Sequence, residues 1–257
     1  MSMTLPELRG RARGRCQRMM SSLFFRRPLR LRNAIPYISF TFDDFPRSSL
    51  IVGAEILERF GLHATYYASL GLMGTEAPTG AIFTEEDLCR LLAGRHELGC
   101  HTFSHCHSWN TRPGVFEASI IRNRQALNRL APTASFRSLS YPVIGPRPAT
   151  KRRAARHFPC CRAGGQTFNA GTIDLNLLRS FFLEKVRGRP EPVEQLIERN
   201  RRANGWLIFA THDVSPAPTP YGCTPAFFER IVRCSVDSGA RILPVGEALT
   251  TLVRDVA

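Results

Sequence analysis

Two adjacent carboxylates, Asp43 and Asp44, end the apolar run Tyr37-Ile38-Ser39-Phe40-Thr41-Phe42. Paired acids at the tip of a hydrophobic segment work against stability, because like charges repel and burial penalises both. Ile38, Phe40 and Phe42 alternate with the smaller Ser39 and Thr41, the period-2 pattern of a strand, so consecutive side chains face opposite ways. The two acids then meet different surroundings, and one can hold a cation while the other keeps its basicity. Taken alone, the pair reads more simply as an acidic turn in which Asp44 caps the next helix. Three histidines bear on the choice. His101 and His105 lie in His101-Thr102-Phe103-Ser104-His105, and His212 follows the apolar run Trp206-Leu207-Ile208-Phe209-Ala210-Thr211. If the chain coils after His101, both imidazoles converge on one ion and a carboxylate adds an oxygen, leaving positions for water and substrate as catalytic sites do. Zinc suits two imidazoles and a carboxylate best; iron(II), manganese and cobalt accept the same ligand types.

These groups need elements that bring them together. After the first strand, Ser49–Leu62 reads as a helix with Leu50, Ala54 and Leu57 on one face, and His63–Ser69 as a second strand. A Gly/Pro-bearing loop, Gly71–Phe83, precedes Thr84-Glu85-Glu86-Asp87, which resembles a capping box opening a helix to about Gly94. Strands are expected at His96–Phe103, Ser135–Pro142, Leu177–Glu184 and Trp206–Thr211. Helices are expected at Val115–Leu130, Pro148–Phe158 and Pro192–Asn204, and from Thr224-Pro225, a capping residue followed by proline. Arg241–Val245 and a short helix close the chain.

Strand and helix alternate throughout, the pattern of a parallel sheet with right-handed crossovers. About seven such units favour a (β/α) barrel over an open sheet. A doubly wound sheet wants a glycine-rich turn after its first strand, and that place holds Asp-Asp-Phe-Pro. In a barrel the carboxyl ends of the strands share one face, so Asp43, Asp44, His101, His105 and His212 meet there.

The 257 residues fit one large α/β domain or two small ones, and 43% are hydrophobic, enough for a sizeable core. Net charge is +14, carried almost wholly by arginine, since Lys151 and Lys185 are the only lysines. That balance permits binding to phosphates, anionic lipid or acidic glycans, and selects none of them. Eight cysteines occur without a Cys-x-x-Cys pair, and Cys160–Cys161 are vicinal, which reads as buried thiols in a reducing compartment. Cys100 and Cys106 flank the histidine cluster. Residues 1–33 are arginine-rich with a single acid, Glu7, and their apolar island Met19–Phe25 is short for a signal-peptide core. We therefore expect a basic arm over 1–33, flexible or lying on a surface, and a folded domain over 34–257. A cytoplasmic location is expected, with possible peripheral contact at the inner face of an anionic membrane.

Thr41-Phe42-Asp43-Asp44, His101-Thr102-Phe103-Ser104-His105 and the late strand ending Thr211-His212 resemble, in order and spacing, the NodB-like polysaccharide deacetylases of carbohydrate esterase family 4. The resemblance spans residues 36 to 250. It implies a distorted (β/α) barrel and metal-dependent removal of an N- or O-acetyl group from a carbohydrate or glycoconjugate. By motif position, Asp43 corresponds to the general base, Asp44, His101 and His105 to the metal ligands, and His212 to the general acid. Those roles are chemically coherent: water activated by the metal attacks the acetyl carbonyl, Asp43 takes its proton, and His212 gives one to the departing amine.

The chain departs from the family pattern at the third motif, R-P-P-Y-G, represented by Ser140-Tyr141-Pro142-Val143-Ile144-Gly145. Tyr141, Pro142 and Val143 are assigned to substrate and oxyanion, the latter through the Val143 N–H. Ser140 stands where an arginine usually orients the base. Arg137 falls on the opposite face, which leaves Arg162 or Arg47 as replacements. Asp174 is expected to orient His212, with Asp213 a second candidate, and Tyr66, Tyr67, Trp109, Tyr141 and Tyr221 are available to stack on sugars. A soluble or lipid-linked precursor sugar is the expected substrate, and no nucleic-acid partner is expected. The rival reading is a non-catalytic, basic surface-binding protein for anionic lipid or nucleic acid on a deacetylase-like scaffold. A non-haem iron oxygenase would want His-x-Asp…His on a β-rich fold, and neither feature is present.

Overall fold

The computed structural model describes residues 5–143 and 145–254, with side chains from residue 14 onward. In chain order come α1 (Leu5–Leu23), β1 (Pro28–Arg30), β2 (Tyr37–Phe42) and α2 (Glu55–Glu58), the last entered through π-helical turns at Ser49–Ala54. There follow β3 (Thr65–Ala68), β4 (Glu76–Ala77), β5 (Gly80–Ala81), α3 (Glu85–Ala93), β6 (Glu97–Cys100) and α4 (Pro113–Leu130). Next are β7 (Leu139–Ser140), α5 (Pro148–Ala154), β8 (Cys161–Arg162), β9 (Thr172–Asp174), β10 (Phe181–Phe182) and α6 (Glu191–Arg202). The chain closes with β11 (Trp206–Thr211), α7 (Pro225–Asp237), β12 (Arg241–Ile242) and α8 (Val245–Arg254).

Seven strands run parallel in the order β10-β11-β2-β3-β6-β7-β8. β12 pairs with the first residues of β2, and β3 with its last. The chain just before β10 bridges back to β8, Arg162 opposite Leu178, with the Leu178 N–H donating to the Cys161 carbonyl. The sheet thus curls into a distorted barrel whose seam rests on a few bonds, as the strand count predicts.

β2 lies inside this sheet, between β11 and β3, and is buried along its whole length, as a parallel strand covered on both faces must be. Its larger residues face helices: Phe40 stacks on Phe209, with centroids 5.5 Å apart, and meets Phe228 of α7 edge-on. Its small polar residues are satisfied, Thr41 donating to the Phe209 carbonyl at 2.7 Å and Ser39 accepting from the Trp206 indole at 3.0 Å. The capping box at Thr84/Asp87 and the Thr224 cap both form where the spacing puts them. Several expected strands are shorter: Ser135–Pro142 reduces to two residues, and Leu177–Glu184 to Phe181–Phe182 followed by a 3₁₀ turn. Near a seam, pairing partners run out before β-forming sequence does.

The arm expected over 1–33 is a helix whose end is built into the domain; residues 1–4 lie outside the described residues. Lys151 of α5 is fully buried and donates to the carbonyls of Ser21 (2.8 Å) and Phe24 (2.9 Å) and to Asp174 Oδ2 (2.6 Å). The Asn176 amide donates to the Phe25 carbonyl, and β1 pairs antiparallel with β9. Packed structure therefore begins well before residue 34. An ammonium with three acceptors closes the last carbonyls of α1, which no later turn of helix can satisfy. Lys151→Met leaves the Asp174 carboxylate, 10% exposed, without its cation. We expect a loss of roughly 3 kcal/mol or more, read by denaturant unfolding, together with new tryptic cleavage after Arg26; the Arg27–Pro28 bond resists trypsin in any case.

Candidate active site

Asp43 follows β2 directly, and its N–H donates to the Thr211 carbonyl at 3.0 Å, pinning the tip of β2 to the tip of β11. The backbone then enters the left-handed region at Asp44 (φ 61°) and Phe45 (φ 56°). Thr102 (φ 61°), His105 (φ 49°) and Val143 (φ 70°) do the same at the ends of β6 and β7. A non-glycine residue pays for this conformation, most of all the β-branched Thr102 and Val143. Five such residues gathered at one end of a barrel mark the place where side-chain direction matters more than backbone ease.

The turns swing Asp44, His101 and His105 together. Asp44 Oδ1 lies 3.6 Å from His101 Nε2 and 3.3 Å from His105 Nε2, and one ligand atom from each residue falls within 4.8 Å of the others. His101 Nδ1 is 2.9 Å from the Ser140 carbonyl; as a donor there, it leaves the Nε2 lone pair facing Asp44. Burial pushes the His101 pKa down to about 4, against the field of Asp43, so the ring is neutral at ordinary pH. Asp44 is buried, its Oδ2 accepts from Thr79 Oγ1 at 3.2 Å, and its Oδ1 has no hydrogen-bond partner. A buried carboxylate oxygen without a hydrogen-bond partner beside two imidazole nitrogens is costly without a cation, and the donor set fits a divalent ion. Cys100 and Cys106 stay outside this group.

His105 comes into reach because its loop is anchored on both sides. The Cys106 N–H donates to Thr102 Oγ1 at 2.9 Å, and the Phe103 N–H to Ser119 Oγ of α4 at 3.0 Å.

Beside the cluster, Asp43 is bound by Arg162, which arrives from β8. Arg162 is 1% exposed; its guanidinium bonds Asp43 Oδ1, Ser140 Oγ (2.7 Å) and Ser180 Oγ (2.9 Å). It lies over the Tyr67 ring, 4.8 Å from the centroid, and 5.6 Å from that of Phe182. Burial alone would raise the Asp43 pKa, but the Arg162 guanidinium, helped by His101 and His212, overrides it and holds the carboxyl well below its usual range. Arg162, not Arg47, thus takes the place left by Ser140, and Ser140 supplies a hydroxyl to its replacement. Arg47 pairs instead with Asp87 at the head of α3.

His212 is half-buried at the end of β11. Its Nδ1 and its N–H both lie against the Tyr221 carbonyl, at 3.1 and 3.3 Å, which directs Nε2 the other way. Phe182 stacks on the ring with centroids 6.2 Å apart. Asp174, expected to orient His212, does not: it is consumed by Lys151 and by the N–H groups of Arg27 and Asn176. Asp213 turns back onto Thr219, whose N–H and hydroxyl it accepts, and so shapes the loop that presents the Tyr221 carbonyl. Two carboxyls interact electrostatically with His212: Asp43, and Glu184, whose Oε2 is buried without a hydrogen-bond partner and whose pKa burial raises, against the field of His212. Nothing in the sequence around Glu184 signals this.

At the mouth, Val143 is 62% exposed, Pro142 accepts at its carbonyl from Ser108, and Tyr141 is buried with its hydroxyl on the Asn176 carbonyl. Ile144 lies outside the described residues. Of the aromatic candidates, Tyr66, Tyr67 and Tyr141 belong to the core, whereas Trp109 and Tyr221 reach solvent.

Residues 32–159 match the family model described as polysaccharide deacetylase. No curated protein matches the chain by sequence. Among solved structures, a family 4 acetyl xylan esterase from Clostridium thermocellum, in complex with a cobalt ion, is 19% identical at a TM-score of 0.58, covering 84% of this chain and 91% of that one. A chitin deacetylase from the fungal pathogen Colletotrichum lindemuthianum is 14% identical at a TM-score of 0.58, with 85% and 89% covered. A protein described as a CE4 family pseudoenzyme from Bacillus anthracis is 10% identical at a TM-score of 0.57, with 83% and 65% covered. The distorted barrel found here is the fold of that group.

Proposed function

The chain belongs to the NodB-like polysaccharide deacetylase superfamily, and from that premise we propose that it is a metal-dependent hydrolase removing an N- or O-acetyl group from a carbohydrate or glycoconjugate. Fold alone does not carry this reading, since one structural neighbour is described as a pseudoenzyme. The observation that carries it is the coexistence of an unpaired buried Asp44 oxygen facing two imidazoles and a second carboxylate, Asp43, held ionised by Arg162.

Asp44, His101 and His105 would hold the ion. When bound there, a divalent metal, zinc by ligand preference, supplies Lewis-acid polarisation of the acetyl carbonyl and of water. Asp43 accepts the proton of the attacking water, and its low basicity is offset by proximity. Arg162 keeps that carboxylate ionised and fixed in direction without touching substrate. His212, steered by the Tyr221 carbonyl, presents Nε2 to the leaving amine or alcohol and donates a proton to it. The Val143 N–H is assigned to the oxyanion, in a loop held open by its left-handed conformation. Trp109 and Tyr221 offer ring faces to a sugar. A cytoplasmic site of action on a soluble or lipid-linked precursor suits the arginine-rich amino terminus, which favours anionic surroundings.

The test is metal content and turnover measured together. The purified wild-type chain is expected to hold one divalent ion, and Asp44→Ala, His101→Ala or His105→Ala, each removing one of three protein ligands, to lose it. Stoichiometric metal in the His101→Ala protein would place the ion elsewhere and remove the assignment.

A further inference from the structure

We propose that the end of α1 and the turn after it form a docking surface for an anionic membrane interface. Met19, Leu23, Phe24 and Phe25 are 53%, 62%, 45% and 43% exposed, and these are the only exposed phenylalanines among the described residues. Scattered exposed apolar side chains are ordinary; four large ones within seven residues form a patch that needs a partner. Mobility does not explain them, because the backbone that carries them is locked: Lys151 binds the Ser21 and Phe24 carbonyls and Asn176 the Phe25 carbonyl. The fold holds these side chains outward.

What surrounds the patch selects the partner. Arg18, Arg26 and Arg30 are exposed beside it, and Arg152 of α5 lies with its guanidinium 5.4 Å from the Phe25 ring centroid. Arg9, Arg11, Arg13 and Arg15 belong to the preceding turns of the same helix, with Glu7 its one acid. A cavity of 360 Å³ opens under the turn, lined by Ser22, Leu23, Arg26, Thr172, Asp174 and Arg179 among others, so two guanidinium groups, with one carboxylate already paired to Lys151, flank a pocket at the foot of the apolar patch. A second copy of the chain would bring the exposed Arg15, Arg18, Arg26 and Arg30 against their own copies, and a nucleic acid would leave Leu23 and Phe24 in water. Phosphate headgroups over acyl chains satisfy both features, the arginines at headgroup level and the apolar residues just below.

The surface stands apart from catalysis, with one link. Ser21 Oγ bonds the Pro146 carbonyl, in the loop that carries Val143. A docked α1 therefore sets the mouth of the site beside the bilayer, and that clause alone rests on the deacetylase reading.

The full chain should co-sediment with phosphatidylcholine vesicles containing phosphatidylglycerol and not with phosphatidylcholine alone. Partitioning should fall roughly fivefold for each arginine neutralised, Arg18→Gln or Arg26→Gln, and about tenfold or more for Leu23→Ser/Phe24→Ser. Val236→Ser, an exposed apolar change on α7, should leave it unaltered, and all variants should share the wild-type thermal transition. Three results would each overturn the proposal: no binding to the anionic vesicles; binding indifferent to Leu23 and Phe24; or displacement from vesicles by duplex DNA at equal phosphate concentration. None of these readouts involves turnover, so an inactive enzyme would leave the surface standing, and an active one would not rescue it.

Discussion

Arg162→Met is expected to lower both turnover and stability sharply. Among the described residues the guanidinium is the only cation bonded to Asp43, and both groups are almost wholly buried. Removing one member of such a pair strands the other as an uncompensated charge, a cost of about 3–5 kcal/mol. Methionine fills much of the volume over Tyr67 and between Ser140 and Ser180, so lost packing is a minor part of that figure. Turnover should fall by on the order of 10²–10⁴-fold, because a base that is protonated or turned away cannot receive a proton. Metal content should stay near the wild-type value, since Arg162 contacts none of Asp44, His101 or His105. Denaturant unfolding, metal analysis and acetate release on one preparation read all three effects. A variant with wild-type turnover would show that Asp43 needs no partner.

Asp43→Asn is expected to give a comparable loss of turnover, on the order of 10²–10⁴-fold, with the metal retained. Asparagine keeps the shape of the side chain and can still accept from Arg162, but it cannot take a proton. It also leaves the buried guanidinium without a counter-ion, so stability should fall as well. The double variant, Asp43→Asn with Arg162→Met, separates the two roles. With both charges gone, the desolvation penalty goes with them, and stability should recover toward wild type while turnover does not. Additive stability losses in the double variant would mean that the two side chains are not energetically a pair. Full turnover by Asp43→Asn alone would remove Asp43 as the base.

Much of this site was legible because strand ends in a parallel barrel meet on one face. Once Asp43-Asp44, His101…His105 and His212 fall after β-like segments, the topology brings them together without further information. Arg162 was legible only as one of two candidates. It reaches Asp43 from a two-residue strand, β8, whose sequence, Cys-Arg, has no periodicity to read. The small residues Ser140 and Ser180 that make room for it are intelligible only once the guanidinium is seen between them. Asp174 reads from the sequence as an acid in a turn, free to orient His212. What the sequence hides is that Lys151 is buried and needs that acid more. The docking of α1 was hidden for the same reason: its ties run to backbone carbonyls, which every residue has, through a lysine in a short helix whose neighbouring residues Arg152 and Arg153 are also basic. Tertiary hydrogen bonds between a side chain and remote backbone leave no trace in composition or spacing.

The most direct test of the account is release of free acid from a panel of N-acetylated sugars, namely N-acetylglucosamine oligomers and nucleotide- and lipid-linked N-acetyl sugars, by the full chain loaded with zinc or cobalt. The account predicts acetate from at least one class of substrate, abolished by chelation and restored by metal. A chain that binds one ion at Asp44, His101 and His105 yet releases no acid from any of them would contradict it, and would make this barrel a scaffold without chemistry.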